Sequence, residues 1–80
     1  MSYDLCILDH EKELFYGKAE AMTAEALDGE LTVLTGHAPI MTMLKAGTIR
    51  IKTPEDRSVA IEVPGGLLKV RSNQVAVLCG

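Results

Sequence analysis

Apolar and polar positions alternate along most of this chain with a period of two, not 3.6, so strands rather than helices are expected. In "SYDLCIL" the pattern places Tyr3, Leu5 and Ile7 on one face. "LFYGKAEAMTAEAL" suits either a helix or a strand, because it is rich in alanine. Gly17 and the strand-like flanks favour a strand over roughly Lys18–Ala24, with small residues on one face. "GELTVL" sets Leu31 and Val33 against Glu30, Thr32 and Leu34. "IMTMLKAG" reads as a short strand ended by Gly47, and "TIRIK" as a strand with Ile49 and Ile51 inward. "SVAIEV" places Val59, Ile61 and Val63 on one face, and "LLKVR" places Leu68 and Val70 inward before the last strand, "QVAVL".

Turn signals punctuate these runs. "TPEDR" predicts a turn with Pro54 at its second position, and Ser72-Asn73 a tight hairpin connection. Gly65-Gly66, after Pro64, permits unusual backbone angles or a bulge where strand direction changes. Short strands with turns about every 8–12 residues indicate an all-β sandwich or barrel. Eighty residues without a linker, repeat or low-complexity segment suggest a single domain over residues 1–80. A chain this short buries only roughly 60–65% of the surface its unfolded form exposes, so it gains by resting on a partner.

The net charge of −3 argues against a nucleic-acid binder. Its distribution is uneven. Residues 1–40 carry eight acids against Lys12 and Lys18, whereas residues 41–80 carry Glu55, Asp56 and Glu62 against six cations. This asymmetry either orients the chain between two neighbours or reflects two solvated faces. No apolar run reaches the length of a membrane helix, and no signal peptide opens the sequence. Cys6 and Cys79 could pair only if the terminal strands met in register. With no further cysteine they read as small buried apolar residues in a reducing, cytoplasmic compartment.

The chemistry-bearing residues form no catalytic set. There is no GxGxxG, GxxxxGK[ST], CxxC, HExxH or GxSxG, and no cofactor is expected. Asp9, His10, Glu11 and His37 are the only candidate metal ligands, and none of them has ligand spacing. Cys6 lies in an apolar strand without a partner base. What remains is "TGHAP". Gly36 and Pro39 stiffen the corner that carries His37, whose ring either fixes its own turn or contacts a partner. Met41 and Met43 share one face of their strand. They are either core, which is favoured because Thr42 opposite could face water, or an adaptable apolar patch for a partner.

The stretch "GELTVLTGHAPIMTMLKAGTIRI" resembles the epsilon subunit of F-type ATP synthases, called delta in mitochondria. Gly29-Glu30-Leu31, Gly36-His37-Ala38-Pro39, Gly47 and Ile49-Arg50-Ile51 match the family pattern in order and spacing. "VPGGLLKVRSNQVAVL" is similar to the family's Gly-Gly strand pair, and Phe15 and Gly17 fit its opening. The resemblance implies a two-sheet β-sandwich of about ten short strands, low on the central stalk. Such a subunit is not catalytic. It packs on the gamma subunit, touches the polar loops of the membrane c-ring, and helps couple ion flow to ATP synthesis at the cytoplasmic face of the membrane. The resemblance places Glu30 in a loop facing the c-ring, with Asp28 and Gly29 beside it, and His37 near gamma. The partner-binding residues expected are therefore Asp28, Gly29, Glu30, His37, Met41 and Met43.

Most family members continue into a helical hairpin that carries inhibition. The sequence stops at "VLCG", where that hairpin would begin, so it is either a naturally short epsilon or an isolated domain, and coupling without hairpin inhibition and without ATP binding is expected of it. Two other classes compete with the rotor subunit. One is an unrelated sandwich adaptor with a peptide-binding edge; the other is a small metal-dependent enzyme.

Overall fold

The odd-numbered apolar positions of the first strand, β1 (Tyr3–Asp9), set the pattern. Tyr3, Leu5 and Ile7 are all buried, as the alternation requires. The computed structural model describes residues 1–80 and contains strands but no helix. It follows that no helix is long and apolar enough to cross a membrane. After β1 come β2 (Lys12–Ala19), β3 (Ala21–Ala26), β4 (Gly29–Leu34), β5 (Ile40–Leu44) and β6 (Gly47–Lys52). The chain ends with β7 (Ser58–Val63), β8 (Gly66–Arg71) and β9 (Gln74–Cys79). There are thus nine strands, against the ten or so expected.

One hydrogen-bonded path, β2-β1-β9-β8-β5-β3-β6-β7, links them, with β4 on the other side of β3. All neighbours are antiparallel except β1 and β9, which run parallel. The path folds over at two corners. At the first, β3 meets β5 only through Ala26 and Leu44, flanked by bonds from Leu27 N–H to the Met43 carbonyl (3.3 Å) and from Lys45 N–H to the Glu25 carbonyl (2.8 Å). At the second, Glu20 N–H donates to the Lys52 carbonyl at 2.7 Å. The result is a five-stranded layer, β2-β1-β9-β8-β5, over a four-stranded layer, β4-β3-β6-β7.

The single strand expected over Lys18–Ala24 is therefore two strands with a bend at Glu20. The bend shifts the inward parity: Ala19 is buried on an odd number, then Met22, Ala24 and Ala26 on even ones. A period-two reading cannot detect a corner that costs one residue of phase. Similarly, Gly47 opens β6 rather than ending β5.

Sixteen buried apolar residues from both layers form one core, including Leu5, Ile7, Met22, Val33, Ile49, Leu68 and Val77. A polar tie crosses it. The Tyr3 hydroxyl on β1 donates to the Val33 carbonyl on β4 at 2.8 Å, and burial pushes the phenol pKa up to about 12. The Thr53–Asp56 turn forms as expected, closed by Asp56 N–H to the Thr53 carbonyl at 3.0 Å with Pro54 second. The Gly65-Gly66 pair is also explained. Gly65 has φ 107°, and a Cβ on Gly66 would lie 2.3 Å from the Leu78 carbonyl oxygen of the neighbouring strand. Only glycine lets β8 approach β9 this closely.

Candidate partner-docking surface

The sequence-predicted residues fall on two connections and the strand between them. Leu27 and Asp28 form the two-residue loop between β3 and β4, closed by the Ala26–Gly29 pair. Asp28, Gly29 and Glu30 are all exposed, and Glu30 stands directly across from Glu25. Like charges opposite one another weaken a sheet, so this hairpin gains nothing for its own fold from its acids.

At the far end of β4 the chain turns through Thr35 and Gly36. His37 N–H donates to the Leu34 carbonyl at 3.1 Å, and Gly36 takes φ 82°, the left-handed third position of a type II turn. The half-buried His37 ring places Nδ1 2.7 Å from the Ala38 carbonyl oxygen, so Nδ1 carries the proton and donates. The ring thus fixes its own corner. No acid or thiol joins it, and no group of three or more potential metal ligands occurs in the chain. Asp9, His10 and Glu11 occupy the β1–β2 hairpin, where His10 takes a left-handed φ of 57°.

Between the two connections runs β5. Met41 and Met43 are 64% and 48% exposed, which corrects the expectation that they are core. The inward face of β5 belongs instead to Leu44, with Ile40 and Thr42 half-buried.

The methionines belong to a wider apolar face that the sequence reading missed. Strand registers align Leu8, Leu78, Leu67 and Met43 across β1, β9, β8 and β5, and the Leu27 N–H bond to Met43 carries the line onto the acidic hairpin. The adjacent row holds Tyr16, Cys6, Ala76, Lys69 and Met41. Tyr16 is 72% exposed and Leu78 42%. The signal was present. "QVAVLC" and "IMTML" are apolar on both faces, which marks strands covered on both sides.

The outer face of the four-stranded layer is different. Thr23 and Thr32 hydroxyls lie 3.2 Å apart, Thr48 donates to the Glu62 carboxylate, and Arg50 and Lys52 project beside them. This face is mostly polar, with Leu34 as its exposed large apolar side chain.

Neither cysteine offers a nucleophile. Register aligns Cys6 with Ala76 and Cys79 with Asp9, so the two are out of step and both are free thiols. Burial raises both pKa values, and the Glu13 charge adds to this at Cys6 and the Asp9 charge at Cys79.

Residues 2–80 match the family described as "ATP synthase, Delta/Epsilon chain, beta-sandwich domain". An ATP synthase epsilon chain of Psychrobacter cryohalolentis is 38% identical over 72 residues, 90% of this chain and 52% of that protein. An epsilon chain of Chromohalobacter salexigens is 38% identical over 77 residues, 96% of this chain and 55% of that protein. The chain thus spans about half the length of the curated relatives it matches. Among solved structures, a chain of the Euglena gracilis mitochondrial ATP synthase OSCP/F1/c-ring assembly superposes with a TM-score of 0.91 at 19% identity, covering 98% of this chain and 50% of that one. A chain of the Tetrahymena thermophila mitochondrial ATP synthase central stalk and c-ring gives 0.79 at 16%, covering 95% and 61%. These two likenesses establish the β-sandwich fold, and with the match over residues 2–80 the chain belongs to the delta/epsilon-chain family of ATP synthases.

Proposed function

We propose that residues 1–80 form one folding unit, the rigid sandwich of a non-catalytic central-stalk subunit that joins the gamma subunit to the c-ring and couples ion flow to ATP synthesis. The observation that carries this reading is the contrast between the two outer faces. The four-stranded layer has a mostly polar outer face with Leu34 as its one exposed large apolar side chain, while the five-stranded layer leaves Tyr16, Met41, Met43 and Leu78 open. An apolar face of this kind marks a protein interface. It is assigned to gamma, with the His37 corner at its margin. The Asp28–Glu30 hairpin, which projects from the other end of β5, is assigned to the polar loops of the c-ring as a charge-complementary contact. The unit reaches the membrane only through these partners, on its cytoplasmic side. The solved relatives support the reading, since their descriptions name the c-ring and, in one case, the central stalk.

The test is co-purification with gamma. Wild-type chain should bind purified gamma, and the double change Met41→Asp/Met43→Asp should abolish binding while leaving the melting temperature within a few degrees. A cysteine at position 30 should cross-link to cysteines in the c-ring loops of assembled enzyme. A chain that ignores gamma and cross-links to the catalytic head would refute the assignment and favour an unrelated adaptor.

A further inference from the structure

The apolar face is not flat. On the row Tyr16–Cys6–Ala76–Lys69, strand registers place two small side chains side by side between two large ones. At about 4.8 Å per strand, Tyr16 and Lys69 stand roughly 14 Å apart, with Cys6 and Ala76 as the floor between them. A depression of about 340 Å³ lies there, lined also by Arg71, Gln74 and Asp4, the last neutralised by its ion pair with Lys18. Its volume falls at the low end of the range for ligand sites, about 300–1,000 Å³, which suits one ring system rather than a whole ligand. Its rim is electrostatically incomplete. Lys18 pairs with Asp4 at 2.7 Å and Lys52 with Asp56 at 3.7 Å, but neither Lys69 nor Arg71 has a carboxylate within ion-pairing distance.

We propose that this depression over Cys6 and Ala76 seats one large apolar or aromatic side chain of the gamma subunit, while an acidic neighbour of that side chain meets Lys69 and Arg71. The inference rests on the gamma-docking reading above and adds to it the anchor point and its chemistry. Interfaces concentrate their affinity in such seats, where a bulky anchor enters a pocket and rim contacts exclude water. Tyr16 supplies the aromatic wall, and its exposure in the free chain is what an unfilled seat leaves behind. The unpaired cations define the partner chemistry, because a neutral or basic neighbour would leave them uncompensated.

Ala76→Leu fills the seat from its floor with little change to the buried side of β9, and Cys6→Leu fills it independently from β1. Binding of purified gamma to each variant, measured by calorimetry, should weaken at least tenfold, with circular dichroism and melting temperature near wild type. Lys69→Gln/Arg71→Gln should weaken binding and flatten its salt dependence. If wild type binds gamma and both filled variants bind equally well, the seat is refuted while gamma docking stands. If wild type itself does not bind gamma, the docking reading falls and the seat with it. Self-association of the chain that Ala76→Leu abolishes, without gamma binding, would assign the seat to a second copy and overturn the proposal.

Discussion

Tyr3→Phe removes one oxygen and keeps the ring. The ring is 2% exposed and its hydroxyl donates across the core to the Val33 carbonyl, so the change isolates a single tie between the two layers. A net intramolecular hydrogen bond contributes about 0.5–1.5 kcal/mol, and a buried acceptor left without its donor costs about 1–3 kcal/mol. The Val33 carbonyl lies on β4, which pairs with one strand only, so partial solvation softens that cost. The expected loss is about 1–2 kcal/mol. For a domain of this size it lowers the melting temperature by roughly 5–15 °C. The pH dependence gives a second readout. Burial raises the Tyr3 pKa from its ordinary value of 10.0 to about 12, so the folded state holds a proton that the unfolded chain has released. Stability from this group is complete below about pH 10 and is lost as pH rises through about 12. The phenylalanine variant lacks that loss, and its gap from wild type should narrow over the same window. Thermal melts of both chains from pH 7 to 12 measure this. A variant that melts within 2 °C of wild type at pH 7, with a gap independent of pH, would refute the reasoning.

Gly66→Ala should cost more than about 2 kcal/mol, because its Cβ would meet the Leu78 backbone and β8 must move off β9; urea denaturation reads the loss, and a midpoint unchanged from wild type would refute the packing argument. His37→Ala should cost only about 0.5–1 kcal/mol, since the ring makes one local hydrogen bond at a half-buried corner, and a larger loss of gamma affinity than of stability would give the ring a direct contact.

The strands were legible because an inward-facing side chain must be apolar on every second residue, as Tyr3, Leu5 and Ile7 of β1, Ile49 and Ile51 of β6, and Leu68 and Val70 of β8 are. The corner at Glu20 was not legible, because a bend that shifts phase by one residue resembles a continued strand in a run of alanines. Met41 and Met43 were misjudged for a related reason. Alternation tells which residues share a face, but not which face points inward; Thr42 gave the wrong cue because its half-buried side is the inner one. The docking face itself could not be read from single strands. It is assembled from two hairpins at opposite ends of the chain and β5 from its middle, and only the registers bring Tyr16, Cys6, Ala76, Lys69 and Met41 into line.

How tightly such a face holds a partner follows from its exposed area. Tyr16, Met41, Met43 and Leu78 together expose about two full side chains' worth of surface. At about 1.5–3 kcal/mol per buried side chain, covering them gains on the order of 3–7 kcal/mol. Association costs about 4–15 kcal/mol in lost freedom before any side chain is ordered. The apolar face alone therefore does little better than break even, and the balance must come from charges, Lys69 and Arg71 at the seat. Charged contacts at a rim are screened once the Debye length shrinks to about 3 Å at 1 M salt. Affinity for gamma should accordingly fall at least tenfold between 50 mM and 500 mM sodium chloride, mostly through slower association. Hydrophobic docking is not weakened by such salt, so an affinity that stays level or rises across that range would mean that the apolar row carries the contact by itself and that Lys69 and Arg71 do not face acids on the partner.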